Sequence, residues 1–307
     1  MKSRSFLLVT LCSFLVSLDV HSETMQDVIK IAPYGNSITQ ADGSHQSYRY
    51  PLWKKLIDAN IAFDFVGTMN TNFSGNPNRP DYKGKRFDPD HEGHWGWRVD
   101  EILNNINNWL SRYTPDMVLM HLGTNDCIQG QSINSTLNEL RQVVEKLRND
   151  NPSVVIFMAN LIPCNASGTP PRITEINNGI KSLAEELNSE SSPIIFVDQY
   201  SGINSSDLYD GIHPNAVGEE KMATKWFDVI YGYLASTRIK KIAPSLTRVS
   251  SQKSAYRIEL VCSPNGHEWS REFSRNSPVI DLMGKRMGFD GIEQTRTNRV
   301  YIIQGNQ

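Results

Sequence analysis

Between residues 28 and about 235, short apolar runs alternate with longer segments whose apolar positions recur every three or four residues. The runs 28–32, 62–66, 116–121, 154–159 and 194–198 are brief and rich in β-branched side chains, the pattern of strands buried on both faces. Segments 48–60, 98–110, 133–149 and 173–188 lie between them and 216–234 follows the last, all with helical spacing. Strands separated by helices pair in parallel through right-handed crossovers. The expected fold is therefore α/β: three layers, α/β/α, around a five-stranded parallel sheet of flavodoxin-like order 2-1-3-4-5. Past residue 240 the helical period vanishes, and 257–262, 279–281 and 299–303 are strand-like runs among polar, glycine-containing turns. The expected division is a main domain over 23–238 and a small β-rich module over 239–307.

An open parallel sheet receives ligands beyond the carboxyl ends of its strands, near the switch in strand order. Four polar segments fall on that edge: Gly35-Asn36-Ser37-Ile38-Thr39, Gly93-His94-Trp95-Gly96-Trp97, Gly123-Thr124-Asn125-Asp126 and Asp210-Gly211-Ile212-His213-Pro214. Ser37 offers a hydroxyl nucleophile, although a serine between a strand and a helix often serves only as a cap. Asp210 can hold His213 Nδ1 and leave Nε2 facing that hydroxyl; the plain alternative is a turn aspartate beside a surface histidine. Asn125 can aim an amide N–H at developing negative charge, while glycine and asparagine after a strand also serve backbone turns alone. Asp126 is expected to brace the loop. No Gly-x-Ser-x-Gly elbow occurs, which excludes the lipase type of α/β-hydrolase.

Composition narrows the partners. The formal net charge of −2 gives no basic field for nucleic acid or an anionic membrane. Lys2 and Arg4 precede the apolar stretch 6–18, which reads as a secretory signal over residues 1–22 and is too short for a membrane span. Export makes a disulfide admissible. The strand order puts Cys127 and Cys164 in neighbouring loops, so a bridge between them is expected, with two buried thiols as the alternative. No metal-ligand spacing is present, and no cofactor or metal is expected.

In this order, the four blocks resemble the SGNH (GDSL-type) hydrolase superfamily over about residues 28–235. The resemblance implies Ser37 as nucleophile, His213 as general base oriented by Asp210, and an oxyanion hole of the Ser37 N–H, the Gly96 N–H and Asn125, with Gly93 as second choice for the glycine. Asn36 departs from the family, which usually has Asp there. Tyr48-Arg49-Tyr50-Pro51-Leu52-Trp53, Asp64-Phe65-Val66-Gly67 and Asp88-Pro89-Asp90-His91-Glu92-Gly93-His94 look like family 3 carbohydrate esterases, chiefly acetylxylan esterases. That likeness implies an acetylated polysaccharide as substrate, with Trp95 and Trp97 as substrate-binding rings. Trp95 stands where those enzymes usually have a small residue. Asp88 and Asp90 form an acidic loop, read as solvated in preference to a Ca²⁺ site. Pro278–Arg286 and Asn298–Ile303 resemble the C-terminal sorting modules of type IX secreted proteins, which implies contact with secretion machinery; a carbohydrate-binding or packing module is the alternative.

The expected protein is a secreted carbohydrate O-acetylesterase. Its rivals are a lipase or thioesterase acting on longer acyl chains and a non-catalytic carbohydrate-binding surface protein.

Overall fold

The computed structural model describes residues 28–249 and the short segments 279–281, 286–287 and 301–303, with side-chain surroundings for 28–237. Expectations that fall on 1–22 or 257–262 lie outside the described residues. The strands of the main sheet are β1 (Ile29–Gly35), β2 (Phe63–Phe65), β3 (Glu92–Gly93), β4 (Met117–His121), β5 (Val155–Ala159) and β6 (Ile194–Val197). The helices are α1 (Ser37–Gln40), α2 (Arg49–Asp58), α3 (Val99–Leu110), α4 (Thr124–Ile128), α5 (Ile133–Asp150), α6 (Thr169–Leu187) and α7 (Ala216–Val249). The strand order is β2-β1-β4-β5-β6, all parallel, with β3 pairing separately on β1. Leaving aside the two-residue β3, this is the five-strand order expected from the hydrophobic pattern. Separately, β7 (Val279–Asp281), β8 (Arg286–Met287) and β9 (Tyr301–Ile303) form an antiparallel sheet in the order β8-β7-β9.

Strand residues alternate between two apolar layers, as the period of two requires. Ala32, Tyr34, Val118, Met120, Ile156 and Met158 pack with α3, α5 and α6. Ile31, Met117, Leu119, Val155 and Phe157 pack with α2 and α7, where Leu52, Leu56, Met222, Trp226 and Ile230 are buried. Helix α3 shows why these segments are helical. Val99, Ile102, Ile106, Trp109 and Leu110 line one buried face, and Glu101 accepts the Arg98 N–H at 2.9 Å to close the first turn.

β1 runs through Pro33 to Gly35, three residues beyond the sequence expectation. Proline normally breaks a central strand because it cannot donate to the ladder. Here Ile29 N–H and Ile31 O bond toward β2, so the Pro33 nitrogen also faces that side. β2 pairs only as far as Ile31 and β3 begins opposite Tyr34, so the missing donor falls in a gap between them. The extension carries the chain to the sheet edge where the four polar segments meet.

No helix among the described residues is long and apolar enough to cross a membrane.

Candidate active site

Ser37 opens α1, the short helix directly after β1. Gly35 is required by a close approach: a Cβ there would lie 2.0 Å from Thr39 Oγ1. Asn36, not Ser37, caps the helix, its Oδ1 accepting the Ile38 N–H at 3.0 Å. Thr39 and Gln40 N–H both bond to Asn36 O. The Ser37 N–H has no acceptor among the described residues.

The Ser37 hydroxyl instead donates to His213 Nε2 at 2.8 Å, across 176 residues of sequence. His213 Nδ1 lies 2.7 Å from Asp210 Oδ2. Asp210 Oδ1 accepts the Ile212 and His213 N–H groups at 2.9 and 2.8 Å, so one loop both orients the imidazole and fixes its own partner. Burial pushes the Asp210 carboxyl up, but the His213 N–H, the His213 ring and the Ile212 N–H outweigh it and hold it below the ordinary carboxylate range. The aspartate therefore stays ionised, as the partner of a proton-accepting histidine must.

The expected amide donors come from the segments that follow β3 and β4. Asn125 lies in α4, after Gly123, and its Nδ2 donates one hydrogen to Trp97 O at 2.8 Å, which fixes the amide plane. Gly96 takes a left-handed φ of 79°, where a side chain would be strained. Its N–H has no acceptor among the described residues, whereas Gly93 N–H is taken by His91 Nδ1 at 2.8 Å and Trp95 N–H by Gln40 Oε1 at 2.8 Å. Gly93 is therefore the weaker candidate donor. Asp126 is fully buried and accepts the Val99 N–H at 3.2 and 3.3 Å on its two oxygens, the bracing contact expected of it.

The two tryptophans divide. Trp95 stacks on His213, with centroids 4.8 Å apart and planes at 18°. Trp97 stacks on His94 at 4.4 Å and, partly buried, packs against the core beside Trp109. Its carbonyl, through Asn125, is what it brings to the site. The expected Cys127–Cys164 bridge is absent; both are buried free thiols. Burial pushes the Cys127 thiol up to about 12. The Cys164 thiol is also raised by burial, and its sulfur is engaged by the Ala166 N–H and the Thr169 hydroxyl rather than by the other cysteine. Asp88 is committed to backbone, accepting Phe65 N–H at 2.6 Å and Asp90 N–H at 3.3 Å, and burial raises it to about 6.

Among the described residues, the carboxylates close enough to share a cation are Asp100, Asp126 and Glu139. Each is already engaged: Asp100 by Arg98 at 2.8 and 2.9 Å, Asp126 by Val99, and Glu139 by Ser135 and Gln131 at 2.9 and 2.7 Å.

Three supporting residues were not singled out from sequence. Gln40 holds the Trp95 loop. Arg49 is fully buried and donates to Thr39 O, Gln40 O, Pro89 O and Asn72 Oδ1 at 2.7–3.2 Å, closing the carboxyl end of α1. Burial pushes its guanidinium down to about 9. A lone arginine inside the aromatic run 48–53 was the available signal. Glu219, near the start of α7, accepts the Ser47 N–H at 2.7 Å, and burial raises it to about 7. A raised carboxylate holds its proton longer folded than unfolded, so its contribution is full below about 4.5 and falls as pH climbs toward 7. Glu219→Gln keeps the acceptor and should flatten the decline in melting temperature between about pH 5 and 7.5, read by thermal melts of both proteins.

Residues 34–221 match the GDSL-like lipase/acylhydrolase family, more than half of the chain. The chain belongs to that family. Within this GDSL-like group it is similar to a carbohydrate esterase family 3 structure from Talaromyces cellulolyticus, 30% identical, covering 68% of this chain and 99% of that one with a TM-score of 0.61. A serine-to-alanine variant of an acetyl esterase, solved with an acetate ion, is 29% identical and covers 68% and 100%, also at a TM-score of 0.61. A multidomain esterase of Ruminococcus flavefaciens is 30% identical over 234 residues, which is 68% of this chain and 29% of that protein. The chain thus spans under a third of that relative's length.

Proposed function

We propose that the protein is a serine esterase that removes O-acetyl groups from a polysaccharide, acetylated xylan being the leading candidate. The observation that carries the proposal is the run of hydrogen bonds Ser37–His213–Asp210, at 2.8 and 2.7 Å. Ser37 Oγ attacks the acetyl carbonyl while His213 Nε2 takes its proton. The Ser37 and Gly96 N–H groups and the free hydrogen of Asn125 Nδ2 receive the oxyanion. His213 then gives that proton to the departing sugar oxygen, which leaves as a hydroxyl, and water activated by the same imidazole resolves the acetyl-enzyme. A purely binding protein has no use for a base held against a hydroxyl. Export belongs to the same proposal and rests on the signal-like segment 1–22 of the sequence.

A short acyl group is favoured because a bulky indole, Trp95, stands directly against His213 where the resembling esterases usually have a small residue. The likeness to an acetyl esterase and to a family 3 carbohydrate esterase points the same way. The test compares p-nitrophenyl acetate with the octanoate and follows acetate release from acetylated xylan. Preference for acetate with release from the polymer supports the proposal; preference for octanoate overturns it in favour of a lipid substrate.

Asn125→Ala should lower kcat by about 10²–10³ with little change in KM, because the lost donor acts mainly on the developing oxyanion. Steady-state kinetics on a soluble acetyl ester measures both constants.

A further inference from the structure

His213 is one member of a row of stacked rings. Phe73 stacks on Trp95 at 4.7 Å and 20°, Trp95 on His213 at 4.8 Å and 18°, Tyr209 on His213 at 5.6 Å and 18°, and His45 on Tyr209 at 3.9 Å and 6°. Trp95 is thus stacked with both Phe73 and the imidazole of His213.

When Ser37 gives up its proton, His213 becomes a cation held between a carboxylate and aromatic π-systems. Both ring centroids lie inside the roughly 6 Å over which a π-face attracts a cation, and the His213 side chain is 12% exposed. Tyr209 is further tuned: its hydroxyl donates to Asp42 Oδ2 at 2.9 Å, and Asp42 also takes the His45 ring and the Ser44 N–H at 2.8 and 2.7 Å. A phenol donating to a carboxylate has a more electron-rich ring. The same bond ties the loop carrying Asp210 and His213 to the segment following Ser37.

Resting on the Ser37–His213 reading above, we propose that Trp95 and Tyr209 are positioning residues that stabilise the His213 imidazolium formed during acyl transfer. The other charged or titratable groups that bear on His213 are Asp210 and Ser37 directly, and Asp42, His45 and, from α7, Glu219 through Tyr209. All of them are kept in the variants at Trp95, so a change there reports the indole.

Trp95→Leu preserves apolar bulk while removing the π-face. Its kcat on p-nitrophenyl acetate should fall about tenfold, and the acidic limb of its kcat/KM profile should move about one unit toward lower pH, because the cation loses support. Trp95→Phe should recover most of both, and Tyr209→Phe should cost about twofold. Melting temperatures check that each variant is folded; if Trp95→Leu is not, Tyr209→Leu, which removes the second π-face, carries the test through the same shift of the acidic limb. An acidic limb that stays put or moves to higher pH, or a loss confined to KM, overturns the proposal. Ser37→Ala run alongside separates the two readings: if it is active the serine mechanism itself fails, whereas if it is inactive and the acidic limb does not move, only the stacking proposal fails.

Discussion

Ser37→Ala should lower kcat for ester hydrolysis by about 10⁶-fold while leaving the melting temperature nearly unchanged. The size follows from the way the serine and histidine act as a unit, so that losing either abolishes the covalent route and leaves only what the oxyanion donors contribute. The unchanged stability follows from the local structure. Asn36 supplies the cap, and the Ser37 carbonyl, which accepts the Ala41 N–H at 2.7 Å, survives the substitution. Were the hydroxyl a cap, its loss would cost about 1 kcal/mol of stability and little activity. The two accounts predict opposite outcomes, and paired kinetic and thermal measurements on one variant separate them.

Asp210→Asn should lower kcat by about 10⁴-fold with the fold intact. An asparagine at 210 can still accept the Ile212 and His213 N–H groups through its carbonyl oxygen. Its amide nitrogen would then face His213 Nδ1 and donate to it. That places the ring proton on Nε2, toward Ser37, and removes the lone pair that accepts the serine proton. The carboxylate is 40% exposed in its side chain, so simple charge removal would be softened by water. The tautomer argument is not softened, and it is why the loss stays large. Burst kinetics on a p-nitrophenyl ester measure the acylation step directly; a loss under tenfold would mean that His213 does not depend on this partner.

Much of the fold was legible because buried parallel strands and amphipathic helices leave strong periodic signals. The five longer strands and their order follow from those signals, and the order alone sets Ser37, Asn125 and His213 on one edge. What escaped was short or depended on packing. β3 has two residues and α1 and α4 have four and five, below the length at which any period shows. β1 continues through Pro33 only because the neighbouring edge has a gap there. Within Gly93-His94-Trp95-Gly96-Trp97, letters cannot tell which indole turns to the site. The chain turns through a left-handed Gly96 between them, and Trp95 stacks on His213 while Trp97 stacks on His94. Neighbouring loops brought Cys127 and Cys164 into one core as free thiols, an outcome that strand order does not decide.

The central claim is that the partly buried imidazole of His213 activates the hydroxyl of Ser37. Treating the folded protein with a fluorophosphonate and locating the adduct by peptide mass spectrometry tests this most directly. A single phosphonylated site at Ser37, lost in His213→Ala, is the expected result. An unlabelled Ser37, or equal labelling without the histidine, would contradict it.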